Sequence, residues 1–105
     1  MATALTTRQR QHMKAIGHRL QPLVTIAENG LSDTVLAEVT RALRDHELIK
    51  VKFVVADRDT KRALIHELCQ RCQCTLIQQI GHLALVYLSN PNASPGLSNL
   101  QRHAP

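Results

Sequence analysis

The chain has 105 residues, 44% of them hydrophobic, with thirteen Lys and Arg against eight Asp and Glu and a formal net charge of +5. That length holds one domain with a modest core, the apolar share excludes a disordered chain, and Phe53 and Tyr87 as sole aromatics make the core aliphatic. No apolar run approaches the roughly 18 residues of a membrane span, and MATALTTRQRQ at the start lacks the apolar core of a secretory signal, so a soluble cytoplasmic protein is expected.

Thr6 or Thr7 can cap a first helix reaching about Gly17, with Met13, Ile16 and Leu20 spaced as an apolar stripe. From Met1 to Ala27 the chain carries Arg8, Arg10, Lys14 and Arg19, two histidines, His12 and His18, and no acid. This positive patch favours polyanions, nucleic acid before anionic membrane, through a salt-sensitive attraction blind to sequence. Leu23 to Ile26 reads as a short strand. The turn Glu28-Asn29-Gly30 then opens onto a helix from Ser32 to about His46, whose Val35, Leu36, Val39, Ala42 and Leu43 share one face. A strand delivered through a small-residue turn onto a helix start exposes backbone N–H groups that can hold a phosphate, although Glu28 and Asp33 put negative charge there.

Glu47 to Val55 is the clearest strand: Ile49, Val51, Phe53 and Val55 alternate with Lys50 and Lys52 in strict period two. Asp57 to Asp59 turns into a third helix reaching about Cys72, with Leu64, Ile65, Leu68 and Cys69 as its buried stripe. Thr75 to Ile80 and Leu83 to Ser89 follow as strands joined at Gly81-His82, the spacing and chemistry of a tight hairpin. Residues 90–105, with three prolines and no periodicity, read as a flexible tail behind a domain of residues 1–89. The order αβαβαββ predicts an α/β two-layer sandwich, a mixed four-stranded sheet packed by helices, with Lys50 and Lys52 on the sheet face left open.

His66, Cys69, Cys72 and Cys74 form H-x2-C-x2-C-x-C, all zinc-competent side chains. Three of them lie on one helix and Cys69 is needed for the core, which favours free thiols in a reducing compartment over a metal site. A redox pair at Cys69 and Cys72 would sit at a helix end, whereas the activated form belongs at a helix start. Neither a P-loop, nor GxGxxG, nor a nucleophile elbow occurs, so no catalytic set is organised and a non-enzyme without cofactor or metal is expected.

The stretches LTTRQRQHMKAIGHRLQPLVTI, NGLSDTVLAEVTRAL, HELIKVK at His46 to Lys52, Asp57-Arg58 before a helix, and QQIGHLALVY together resemble the YhbY-type proteins, the stand-alone bacterial form of the CRM domain. The resemblance covers about Thr6 to Leu88. It implies a fold like the C-terminal domain of translation initiation factor 3, RNA binding, and association with precursors of the large ribosomal subunit, with no cofactor. In that family the turn after the first strand is a GxxG loop whose backbone amides approach an RNA phosphate. Here it reads Ala27-Glu28-Asn29-Gly30, without the first glycine, and Leu88-Ser89 stand where the family commonly has an arginine after the tyrosine.

Two function classes follow. One is a monomeric RNA-binding module for ribosome assembly that uses Arg8, Arg10, Lys14, His18, Arg19, Glu28, Asn29, Gly30, Lys50 and Lys52. The other is a protein-interaction adaptor on the ribosome or its precursors that uses the helical surface and the tail, with a zinc or thiol module behind both.

Overall fold

The first helix, α1 (Thr7–Gly17), starts at a capping box: the Thr6 hydroxyl accepts from the Gln9 amide at 3.0 Å, and the Gln9 side chain accepts from the Thr6 amide at 2.8 Å. The computed structural model describes residues 5–102. Strand β1 (Pro22–Ala27), helix α2 (Asp33–His46), strand β2 (Leu48–Val54), helix α3 (Arg58–Cys72) and the hairpin β3 (Thr75–Ile80) and β4 (Leu83–Tyr87) follow in the expected order. Ser32 caps α2 through the Val35 amide at 3.1 Å, and Asp57 caps α3 through the Thr60 amide at 2.7 Å. The strands lie in the order β1-β2-β4-β3, with β1 parallel to β2 and the other pairs antiparallel.

The period-two pattern sends alternate residues to opposite faces. On one face Val24, Ile26, Ile49, Val51, Phe53, Ala84 and Val86 meet Val39 and Leu43 of α2 and Ile65 and Leu68 of α3 in a buried aliphatic cluster. On the other, Leu48, Ile77 and Leu85 meet Met13 and Ile16 of α1. The α/β class and the mixed sheet are as the sequence predicts, but the layering is fuller than a two-layer sandwich. Leu48 and Leu85 make a second apolar patch that only a helix on the far side of the sheet can bury. Gly17 permits that approach: a Cβ there would lie 2.6 Å from Cδ2 of Leu85.

The flexible tail expected from residue 90 onward is corrected for the described residues. Glu47, buried and at φ +61°, closes α2, and its carboxylate accepts from the Ser98 hydroxyl at 3.0 Å and the Asn90 amide at 3.2 Å. The Asn99 side chain donates to the Leu48 carbonyl at 2.6 Å, and that of Asn90 donates to the Arg44 carbonyl at 2.7 Å. A short helix, α4 (Asn99–Arg102), then places Leu100 beside the α1 cluster. Asn side chains bonding to backbone carbonyls and a Ser hydroxyl bonding to the Glu47 carboxylate carry this docking, so no apolar periodicity announces it.

Candidate nucleic-acid interface

Because α1 covers only the end of its sheet face built from Leu48, Ile77 and Leu85, the rest of that face stays open. Ladder register puts Thr25, Lys52, Leu83 and Ile80 in one row across all four strands, and Lys50, Leu85 and Gln78 in the next. Lys52 is exposed and Lys50 half-buried, the latter beside the C-terminal end of α1. Lys50 and Lys52 therefore both lie on the face that α1 partly covers, not on a helix-free face, and of the two Lys52 is the exposed one.

Lys50 is shared by two depressions. One, of about 320 Å³, has Gly17, His18, Gln78, Ile80 and Leu83 around it. The other, of about 330 Å³, includes Arg19, Leu23 and Asn99. His18 and Arg19 are thus gathered with Lys50 at the end of α1. Arg10 and Lys14 precede His18 at four-residue spacing on one ridge of the helix, both half-buried, with a guanidinium nitrogen of Arg10 3.4 Å from the Leu76 carbonyl. Arg8 is not gathered with them: it is exposed, on the opposite flank by helical spacing and about 15 Å along the axis from His18.

The turn lies at the far end of the same face. Ala27 is paired with Val54 as the last residue of β1, and the Gly30 amide donates to the Ala27 carbonyl at 2.9 Å, closing a turn over the exposed Glu28 and Asn29. Gly30 sits at φ +81°, where a side chain is strained, whereas Ala27 is an ordinary strand residue. A glycine at the first position is therefore not demanded by the backbone. Glu28 directs a carboxylate oxygen to the Ala56 amide at 3.4 Å, toward the β2–α3 connection.

Sequence reasoning missed a group of cations at this edge. Lys61 of α3 donates to the Gly81 carbonyl at 3.3 Å and lies 3.2 Å from Nδ1 of His82, whose backbone carbonyl accepts from the Phe53 amide at 2.7 Å. Arg58 and Arg62 are exposed on the same first turns of α3. Their signal was hidden by Asp57 and Asp59, but Asp57 is spent on capping: the amide and hydroxyl of Thr60 both donate to it at 2.7 Å and hold its carboxyl below the usual range.

These residues give a cationic face with a glycine turn at one end, and the sequence carrying it matches a known pattern: the CRS1/YhbY (CRM) domain over residues 5–87. The chain belongs to the CRM domain family. A probable RNA-binding protein of Pseudomonas aeruginosa is 54% identical over 101 residues, covering 96% of this chain and 97% of that one. An RNA-binding protein of Haemophilus influenzae is 42% identical over 91 residues, covering 87% and 92%. The solution structure of a hypothetical protein from Staphylococcus aureus superposes with a TM-score of 0.73 at 27% identity, over 85% of this chain and 94% of that one.

The thiols of this CRM domain lie on its other side, with Cys74 buried, Cys69 and Cys72 half-buried, and His66 exposed. A hydrogen bond between Cys69 and Cys74 pushes the Cys74 thiol far up, with burial adding to it, and holds Cys69 down. Burial raises Cys72 against a hydrogen bond to Thr40. Among the described residues no group of three His, Cys, Asp or Glu is arranged to hold a metal, and no helix is long and apolar enough to cross a membrane.

Proposed function

We propose that this CRM domain binds RNA, that the RNA is ribosomal, and that it acts as a non-catalytic monomer in the cytoplasm during maturation of the large subunit. One observation carries the reading. Between the end of α1 and the Asn29-Gly30 turn, the open part of the sheet presents Lys50 and Lys52 with His18 and Arg19 beside them, and none of the residues on these rows is acidic. Lysines two residues apart on one strand face the same way about 6.6 Å apart, so both can meet one phosphate backbone. Arg10 and Lys14 extend the field along α1, Arg8 adds to it at longer range, and Gly30 lets the turn backbone come close. Glu28, held toward Ala56, is the residue whose reversal should strengthen binding.

A salt titration with a single-stranded RNA fragment of the large-subunit rRNA tests this. The double variant Lys50→Ala/Lys52→Ala should lower affinity and reduce the log-log salt slope by about 1.4, two contacts at roughly 0.7 each. An unchanged slope in a folded variant would remove the sheet from the interface. Crosslinking in cells, with recovery of RNAs other than ribosomal ones, would reject the ribosomal assignment while leaving RNA binding in place.

A further inference from the structure

We infer that the depression at the end of α1 is a pocket for one unpaired nucleobase, which makes single-stranded RNA, not duplex, the ligand class of this face. The inference rests on the RNA-binding reading above and deepens it. Phosphate attraction alone needs only the lysines, yet the row that holds Lys52 continues into Leu83 and Ile80, and Ile80 is 54% exposed. Carbon surface of that kind is out of place on a face that handles only phosphate, and it is placed where bases would fall if the backbone followed Lys50 and Lys52 along β2. Beside it the about 320 Å³ depression is lined by Ile80 and Leu83 together with Gly17, His18, Gln78 and Lys50.

That volume is at the lower end of small-ligand pockets, and the lining has their composition: mostly apolar with a few placed polar groups. Gly17 matters twice, since the absent Cβ lets α1 sit on Leu85, and both residues line the depression. The Gln78 amide offers a donor and an acceptor, the pair needed to meet a base edge. In a duplex that edge is paired and the base face is stacked, so only an unpaired nucleotide can present both to the pocket. With the small His18 imidazole as the sole aromatic ring among the lining residues, the contribution per base falls at the low end of what stacking gives, and the preference among bases is weak.

The test uses the full chain with three probes: a short single-stranded RNA, the same sequence as a duplex, and inorganic polyphosphate, which carries charge without bases. Ile80→Asn and Gln78→Ala, each checked for an unchanged melting temperature, should lower single-strand affinity about fivefold. The salt slope and polyphosphate binding should stay unchanged, and the duplex should bind more weakly than the single strand. Equal binding of duplex and single strand, with both variants indistinguishable from the parent protein, would overturn the pocket and leave a phosphate-reading face. Binding of polyphosphate without preference for any RNA would overturn the RNA-binding reading itself.

Discussion

The two faces of the sheet differ in how they are finished. The face under α2 and α3 is sealed: Ile26, Val51 and Phe53 are completely buried there, and the helices cover them along the length of β2. The face under α1 is sealed only around Leu48 and Leu85, and farther along the same strands it gives way to Lys52 and the half-exposed Val54 and Ile80. Both faces come from one alternating sequence. What separates them is the reach of a single short helix, which leaves part of one side of the strands open for the proposed RNA contact while the other side is wholly core.

The largest expected effect breaks the sealed face. Phe53→Ala removes a fully buried ring and should cost about 3–5 kcal/mol in urea unfolding, whereas Ile80→Asn on the open face should stay within about 0.5 kcal/mol. Similar losses at the two sites would show that the open face is in fact part of the core. Gly17→Val tests the boundary between the covered and open parts of the α1 face. Its Cβ must displace the Leu85 side chain, at a cost of about 1–3 kcal/mol, and the tilt of α1 should also weaken RNA binding at His18 and Lys50. A variant as stable as the parent would mean that α1 can move away from the sheet freely.

The C-terminal segment sharpens the comparison on the α1 side. Ser98→Ala withdraws the hydroxyl that donates to the buried Glu47 carboxylate, and should cost about 1–3 kcal/mol while amide exchange rises in residues 90–100. Exchange already as fast in the parent protein would detach the segment from the domain. The smallest effect belongs to the thiols behind the sealed face. The Cys72 thiol is raised in the folded chain, so the native state keeps a proton that the unfolded chain loses near pH 8.5. Its contribution is therefore complete below that pH and fades as the pH rises above it. Cys72→Ala should lessen the alkaline loss of stability seen in melting curves between about pH 8 and 10. An identical pH profile would place the alkaline sensitivity elsewhere.

How much was legible can be judged residue by residue. Thr6, Ser32 and Asp57 were readable as helix starts because a cap acts over three residues. The strand around Lys50 and Lys52 was readable because its alternation is local, and the hairpin because Gly81, at φ +57°, supplies the turn. The anchoring of residues 90–100 was not readable, since Asn90 and Asn99 are common in loops and their partners, Arg44 and Leu48, lie more than 45 residues away. Lys61 was passed over because two aspartates beside it masked a charge that the fold turns toward the hairpin.

Sequence alone therefore determined the class of each segment, the order αβαβαββ, the aliphatic core and the excess of positive charge, since all depend on composition or on interactions within a turn or two. Only the tertiary structure decided that α1 lies across the sheet from α2 and α3, that it stops short and leaves Lys52 open, and that His18, Lys50 and Gln78 border one depression. Those facts depend on strand order and register between segments distant in the chain, and on the close approach of Gly17 to Leu85, about 68 residues away, which no local periodicity encodes.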